Sequence, residues 1–184
     1  NKPVTGNKTT IVPNYVTETG FTMDIPARTK VGEITANSEL FVYDRKKDTV
    51  FAIKTDSIPG INDLPAYLKD YPKLLEEKSK KPMPRMVTFS GPQWSPGGGH
   101  ALFEIRSIDN KDRWLMLWDT SNARLKLLDR QRDEAWIASP GAFDGLGWID
   151  SKNIWFLSEA TGYSHLYTIN VIDGQRKTLT TGNY

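Results

Sequence analysis

The second half of the chain alternates short apolar segments with turns rich in Gly, Asp, Asn and Ser, a pattern typical of consecutive β-strands. One series of segments follows Trp94 and another follows Trp148, 54 residues later. The matching step from Leu128 to Leu179 is 51 residues. This nearly constant step predicts a repeat of about four short strands per unit, as in propeller blades. We expect Trp94 and Trp148 to occupy equivalent positions, each following a glycine at the start of an inner strand.

A different periodicity marks residues 62–80. Apolar side chains recur here at i, i+3 and i+4, which predicts an amphipathic helix inserted between strands. Asn62 or Asp63 could cap its start, and Pro72 should kink it or split it in two. The helix either covers a blade or serves as a docking element. The residues expected to face the sheets are Leu64, Leu68, Tyr71 and Leu75.

Together these patterns predict an all-β fold, a partial β-propeller of about two to three four-stranded antiparallel blades with one inserted helix. Residues 39–44 and 49–53 resemble the outer two strands of a blade. We therefore expect four segments. They are a partial blade at 11–59, a helical insertion at 60–84, a blade at 85–130 and a blade at 134–182.

Composition narrows the functional classes. The 184 residues carry 24 Lys plus Arg and 22 Asp plus Glu, a net charge of +2. These totals lack the excess of positive charge that is typical of nucleic-acid binding. Because no run of eighteen apolar residues occurs, we expect no membrane span. The absence of cysteine excludes disulfides, thiolate nucleophiles and Cys-based metal sites. Residues 7–9 form a glycosylation sequon.

Three strings carry a family resemblance. Residues 158–167 read SEATGYSHLY and residues 179–184 read LTTGNY. Both resemble the end of a propeller blade in the dipeptidyl peptidase IV branch of the prolyl oligopeptidase family. Residues 93–96 are similar to the start of the "WSPDG" blade string of that family, with Gly97 in place of Asp. The resemblance implies the N-terminal β-propeller region of a serine peptidase in a periplasmic or secreted location.

The resemblance also implies that one domain positions the substrate and another cleaves it. The propeller would gate or position short peptide substrates for a C-terminal α/β-hydrolase domain that this chain lacks. The parent would be a serine exopeptidase of the dipeptidyl peptidase type, and this chain alone would be inactive. The open blades would also favour self-association into a homo-oligomer. Two alternatives remain: a stand-alone WD or TolB-like interaction propeller that binds a protein or peptide, and a propeller of a glycan-active enzyme.

No residue fits the catalytic machinery of such a peptidase. The nearest match to Gly-x-Ser-x-Gly is residues 162–166, whose fifth position is leucine, and strand-like sequence flanks Ser164 on both sides. His100 and His165 fall in predicted strands, which favours structural roles. We therefore predict no catalytic residue, no cofactor site and no metal site.

One pair of carboxylates is a candidate for substrate binding. The resemblance implies a pair of propeller glutamates that hold the N-terminal amine of the substrate through charge-assisted hydrogen bonds. Asp133 and Glu134 form an acidic, loop-like pair just before Trp136. The alternative is that both are ordinary exposed loop carboxylates. For Glu159, within the resembling string, we expect a structural role at a turn or strand edge.

Overall fold

A computed structural model describes residues 10–27, 33, 38–120, 124–137 and 145–183. The sequon at residues 7–9 lies outside these residues. The chain divides into two compact units, residues 1–38 and residues 39–184. Within the described ranges, the strands form four antiparallel sheets, two of two strands and two of four strands.

The first unit contains one hairpin. Strand β1 (Ile11–Asn14) pairs with β2 (Met23–Pro26), with Ile11 opposite Pro26. Large apolar side chains of this unit, among them Val16 and Phe21, are exposed to solvent. The unit therefore leaves much of its apolar surface uncovered by its own residues.

The second unit begins with a hairpin at the predicted position. Strand β3 (Phe41–Asp44) pairs with β4 (Thr49–Ala52), and Asp48 in the turn has a φ of 46°. Aspartate tolerates this left-handed conformation better than most residues. These strands, together with Ile53, Ile58 and Ile61 after them, cover one face of the four-stranded sheet that follows in the chain.

The predicted helix is split at Pro72. A 3-10 helix spans Ala66–Asp70 and the α-helix α1 spans Pro72–Lys80. Leu68 is fully buried as predicted, whereas Tyr71 is 58% exposed and α1 buries no residue. The prediction that Tyr71 faces the sheets is wrong, because the break interrupts the helical phase and no single face runs through both pieces. The leucines at 64 and 75 are half-buried.

The predicted N-cap of this insertion is also wrong. The residue before the 3-10 helix is Pro65, and no side chain at that position caps it. Asp63 instead pairs with Arg130, at 2.6 Å. The first helical N–H, that of Ala66, donates to the Glu134 carboxylate at 2.8 Å. The cap therefore comes from a distant loop, which local sequence does not reveal.

The first four-stranded sheet contains β5 (Val87–Trp94), β6 (His100–Ser107), β7 (Asp112–Asp119) and β8 (Arg124–Arg132), in that order. Its central strand β7 is apolar without alternation from residue 114 to 118. Trp114 and Met116 point into the core shared with β3 and β4, whereas Leu115 and Leu117 point into the core on the other face. Both faces of this sheet are therefore covered, which explains the continuous apolar run.

The second four-stranded sheet packs on that other face. It consists of β9 (Leu146–Trp148), β10 (Asn153–Ser158), β11 (His165–Asn170) and β12 (Arg176–Thr178) as a meander. Ile154 and Phe156 are fully buried against the first sheet. Two similar antiparallel sheets stacked face to face confirm the predicted all-β partial propeller. The exact blade boundaries stay a prediction.

The two tryptophans occupy equivalent register positions. Trp94 lies opposite Ala101, and Trp148 lies opposite Ile154, in each case the second residue of the second strand. Their predicted place at the start of an inner strand is wrong, because each ends the first strand of its sheet. After Trp94 the backbone turns at once, with φ of 88° at Gly97 and 72° at Gly98.

No helix among the described residues is long and apolar enough to cross a membrane.

Candidate functional site

A cavity of about 320 Å³ lies between the two four-stranded sheets, and we call it the inter-sheet cavity. One wall is the end of β8 with the loop after it, and the other is the end of β10 with part of β12. Both walls come from strand ends, so the hydrogen-bonded sheets fix their backbones. The lining residues are Asp129, Arg130, Gln131, Arg132, Asp133, Trp136, Ile137, Ser158, Glu159, Ala160 and Arg176.

The charges at the base of the inter-sheet cavity are already paired. Arg176 contacts the buried carboxylate of Asp129 at 2.7 Å and lies over the Tyr167 ring, 4.2 Å from its centroid. The other Asp129 oxygen accepts a hydrogen bond from Gln131 at 3.1 Å. Because an ion pair and a cation–π contact both hold Arg176, it ties the two sheets together and fixes the cavity base.

Two carboxylates in the lining retain free acceptor capacity. Asp133 uses one oxygen to accept the N–H groups of Ala135, at 2.7 Å, and Trp136, at 3.2 Å. Its second oxygen has no hydrogen-bond partner among the described residues, and the same holds for both oxygens of Glu159. Both side chains are exposed. A cationic group entering the cavity would meet two carboxylates able to accept its hydrogen bonds.

Glu134 lies beside the inter-sheet cavity and is not among its lining residues. Its carboxylate contacts Arg132 at 2.6 Å and caps Ala66 at 2.8 Å, while Lys111 donates to its backbone carbonyl. The Ala66 N–H, followed by the Arg132 guanidinium, lowers the pKa of this carboxyl. The structure therefore does not bring Asp133 and Glu134 together as a pair facing one cavity. Glu134 instead joins the helical insertion to the loop that carries Asp133.

A cluster of arginines around one buried carboxylate holds these elements in place. Asp112, at the start of β7, has a fully buried side chain. It contacts Arg85 at 2.7 Å, Arg130 at 2.7 Å and Arg132 at 2.6 Å. The guanidinium groups of Arg85 and Arg130 also lie over the Trp114 ring. We call these four charged residues the Asp112 cluster. Because Arg130 also pairs with Asp63 of the insertion and Arg132 with Glu134, the cluster joins the insertion to the end of β8.

The candidates for a catalytic triad fall in structural positions. Ser164 lies in the turn between β10 and β11, where Gly162 has a φ of 87° and no helix follows. His165 is buried, and its Nε2 is 3.0 Å from the Gly182 carbonyl oxygen. His100 begins β6. Within the described ranges, no group of three or more His, Asp or Glu side chains is placed to hold a metal ion.

Sequence reasoning gave Asp133 as a site residue but assigned Glu159 a structural role. Glu159 directly follows β10, and its carboxylate lines the inter-sheet cavity. A carboxylate immediately after a strand, within the string that resembles a blade end, was the available signal. The substrate-binding roles of Asp133 and Glu134 stay predictions.

Comparison with known proteins gives a family match and similarity to solved structures. Residues 79–184 match the model of a family described as the dipeptidyl peptidase IV N-terminal region. A solved structure from Bacteroides ovatus, assigned provisionally as a dipeptidyl aminopeptidase IV, is similar in fold, with a TM-score of 0.57 at 11% identity. That alignment covers 96% of this chain and 24% of the solved chain, so this chain spans about a quarter of it. No curated protein matches the sequence.

Proposed function

The chain belongs to the family of dipeptidyl peptidase IV N-terminal regions, and we propose that it is the non-catalytic propeller portion of a serine peptidase of that type. An α/β-hydrolase domain of the same parent protein would cleave the substrate. The propeller would gate or position short peptides for that domain. A periplasmic or secreted location is part of the same proposal.

The observation that carries this proposal is that two carboxylates lining the inter-sheet cavity, Asp133 and Glu159, retain acceptor capacity among the described residues. The free N-terminus of a peptide is a cation near neutral pH, with a pKa of about 8. Asp133 and Glu159 can accept hydrogen bonds from that ammonium group. The exposed indole of Trp136, 65% accessible, offers an apolar surface to the first side chains. A volume near the lower limit for ligand sites, about 300 Å³, suits the end of a short peptide.

Glu134 has a positioning role in this proposal. Its contacts with Arg132 and Ala66 hold the loop that carries Asp133 against the helical insertion. A ligand-binding carboxylate that is already fixed loses little conformational entropy on binding. The two carboxylates expected from the sequence therefore have different roles in this proposal: Asp133 contacts the peptide amine, and Glu134 holds the loop.

A calorimetric titration of the chain tests the site. The two ligands are a tetrapeptide with a free N-terminus and the same tetrapeptide with an acetylated N-terminus. We expect only the free peptide to bind at neutral pH, and its binding should weaken above about pH 8 as the amine loses its proton. Asp133→Asn should weaken binding by about tenfold or more, because a charge-assisted hydrogen bond contributes about 1.5–3 kcal/mol.

Asp56→Asn is the matched control, because Asp56 is exposed and does not line the inter-sheet cavity. It should leave binding unchanged. Equal binding of the two peptides, or unchanged binding by the Asp133 variant, would contradict the proposal for this cavity. The coding sequence of the parent should also carry Gly-x-Ser-x-Gly followed by Asp and His. Its absence would favour the stand-alone interaction propeller.

A further inference from the structure

A cavity of about 750 Å³ in the second unit lies between the β3–β4 hairpin and the ends of β5 and β7. We call it the hairpin cavity. We propose that it binds an acidic peptide segment that carries an aromatic or aliphatic side chain. The cavity shares no lining residue with the inter-sheet cavity, so this inference is independent of the proposed function. Its argument rests on three aromatic and three cationic side chains: Phe51, Trp94, Trp118, Arg45, Lys46 and Lys47.

The apolar wall of the hairpin cavity is built in advance. Phe51 and Trp118 stack with ring centroids 5.8 Å apart, and Trp118 is only 4% exposed, so the packed core holds this part of the wall. Trp94 is 55% exposed although it sits in a paired strand. The backbone just after it is also fixed, because the Ser95 N–H donates to the His100 carbonyl at 2.9 Å. A ligand would therefore meet rigid aromatic surface.

The cationic rim is equally well fixed. The Asp44 carboxylate accepts the N–H groups of Lys46, at 2.9 Å, and Lys47, at 3.3 Å. Tyr43 donates to Asp48 at 2.7 Å from the other side of the turn. These bonds order the backbone of the turn while its long side chains extend into solvent.

The cations on that turn are available to a ligand. Arg45 and Lys46 form no ion pair with any residue in the described part of the chain, and Lys47 contacts Asp44 only at 3.9 Å while it stays 80% exposed. Three positive charges and one negative charge face the cavity, so its rim attracts anions.

The arrangement favours an acidic peptide over other anions. The cations come from a single turn, whereas a uniform polyanion is bound by charges spread along a surface. The remaining wall is aromatic, and it would leave a purely ionic ligand without contacts there. A segment that alternates carboxylates with an apolar side chain satisfies both parts of the hairpin cavity.

Fluorescence anisotropy with the full chain tests this inference. The probe is a fluorescein-labelled peptide, Asp-Glu-Phe-Leu-Asp, acetylated at its N-terminus so that it carries no ammonium group for the inter-sheet cavity. We expect binding that weakens as the salt concentration rises. An Asn-Gln-Phe-Leu-Asn peptide and an Asp-Glu-Gly-Ser-Asp peptide should each bind about tenfold more weakly or worse.

Three variants locate the binding site. The double variant Arg45→Glu with Lys46→Glu should lose binding by about tenfold or more, and Trp94→Ala should weaken it several-fold while Trp94→Phe largely restores it. Lys73→Glu, at an exposed lysine on α1, is the matched control and should leave binding of this peptide unchanged. Circular dichroism checks that each variant folds.

Three results would overturn the inference. The first is no detectable binding up to millimolar peptide, and the second is binding that the rim variant leaves intact. The third is tight binding of heparin, a uniform polyanion, with no binding of the peptide. None of these results bears on the free N-terminus titration, so the two proposals fail separately.

Discussion

Replacing Asp112 by asparagine should strongly destabilise the second unit. The substitution keeps the size of the side chain and removes one negative charge from a position with no solvent exposure. Three guanidinium groups, from Arg85, Arg130 and Arg132, then face a neutral amide that can satisfy only part of their hydrogen bonding.

The contacts set the size of the effect. Removing one partner of a buried ion pair costs about 3–5 kcal/mol, because the remaining charge is left uncompensated. Each arginine here keeps a second carboxylate, namely Asp109, Asp63 or Glu134 respectively. The three arginine side chains are also 13–24% exposed to solvent. We therefore expect a loss at the lower end, about 3 kcal/mol of unfolding free energy.

Urea unfolding followed by tryptophan fluorescence measures this loss. Asp56→Asn makes the same chemical change at an exposed position and should shift the unfolding free energy by less than about 0.5 kcal/mol. If Asp112→Asn costs less than about 1 kcal/mol, the Asp112 cluster does not hold the insertion and β8 together as we infer.

Three further predictions follow from burial, pKa and exposed surface. Leu68→Asp should cost about 2–4 kcal/mol of unfolding free energy because Leu68 is fully buried. Leu74→Asp, on the exposed side of α1, should cost less than about 1 kcal/mol. Equal effects of the two substitutions in thermal unfolding would refute this packing. The lowered pKa of Glu134 stabilises the fold above the ordinary carboxyl pKa, and this contribution disappears as pH falls through the lowered value. As pH falls from about 6 to about 3, the Glu134→Gln variant should therefore lose less stability than the unsubstituted chain. Parallel pH profiles of the two proteins would contradict this stabilising role of Glu134. We also expect concentration-dependent self-association in sedimentation experiments through exposed apolar surface, and a strict monomer at high concentration would rule it out.

The features that sequence predicted are those with a local or periodic signal. The 54-residue step between Trp94 and Trp148 predicted two similar units, because equivalent register positions in stacked sheets require equivalent spacing. Pro72 predicted the break in the insertion because proline cannot donate the hydrogen bond that a continuous helix needs.

The candidate site was less accessible to sequence reasoning because its contacts join distant residues. The carboxylate of Glu134 caps Ala66 across 68 positions, and nothing near Ala66 indicates that partner. Glu159 faces the inter-sheet cavity only because the ends of β10 and β8 meet there. A propensity or a motif describes one segment at a time, whereas the packing of two sheets decides which carboxylates remain unpaired.

Release of p-nitroaniline from a dipeptidyl p-nitroanilide with a free N-terminus tests the central claim most directly. Two proteins are compared at equal concentration: this chain and the product of the complete coding sequence of its parent. We predict that the parent product cleaves the substrate, that a serine-reactive phosphonate blocks it, and that this chain gives only the background rate. Cleavage by this chain that disappears in Ser164→Ala, or no cleavage by the parent product, would contradict the assignment of a non-catalytic propeller in a serine peptidase.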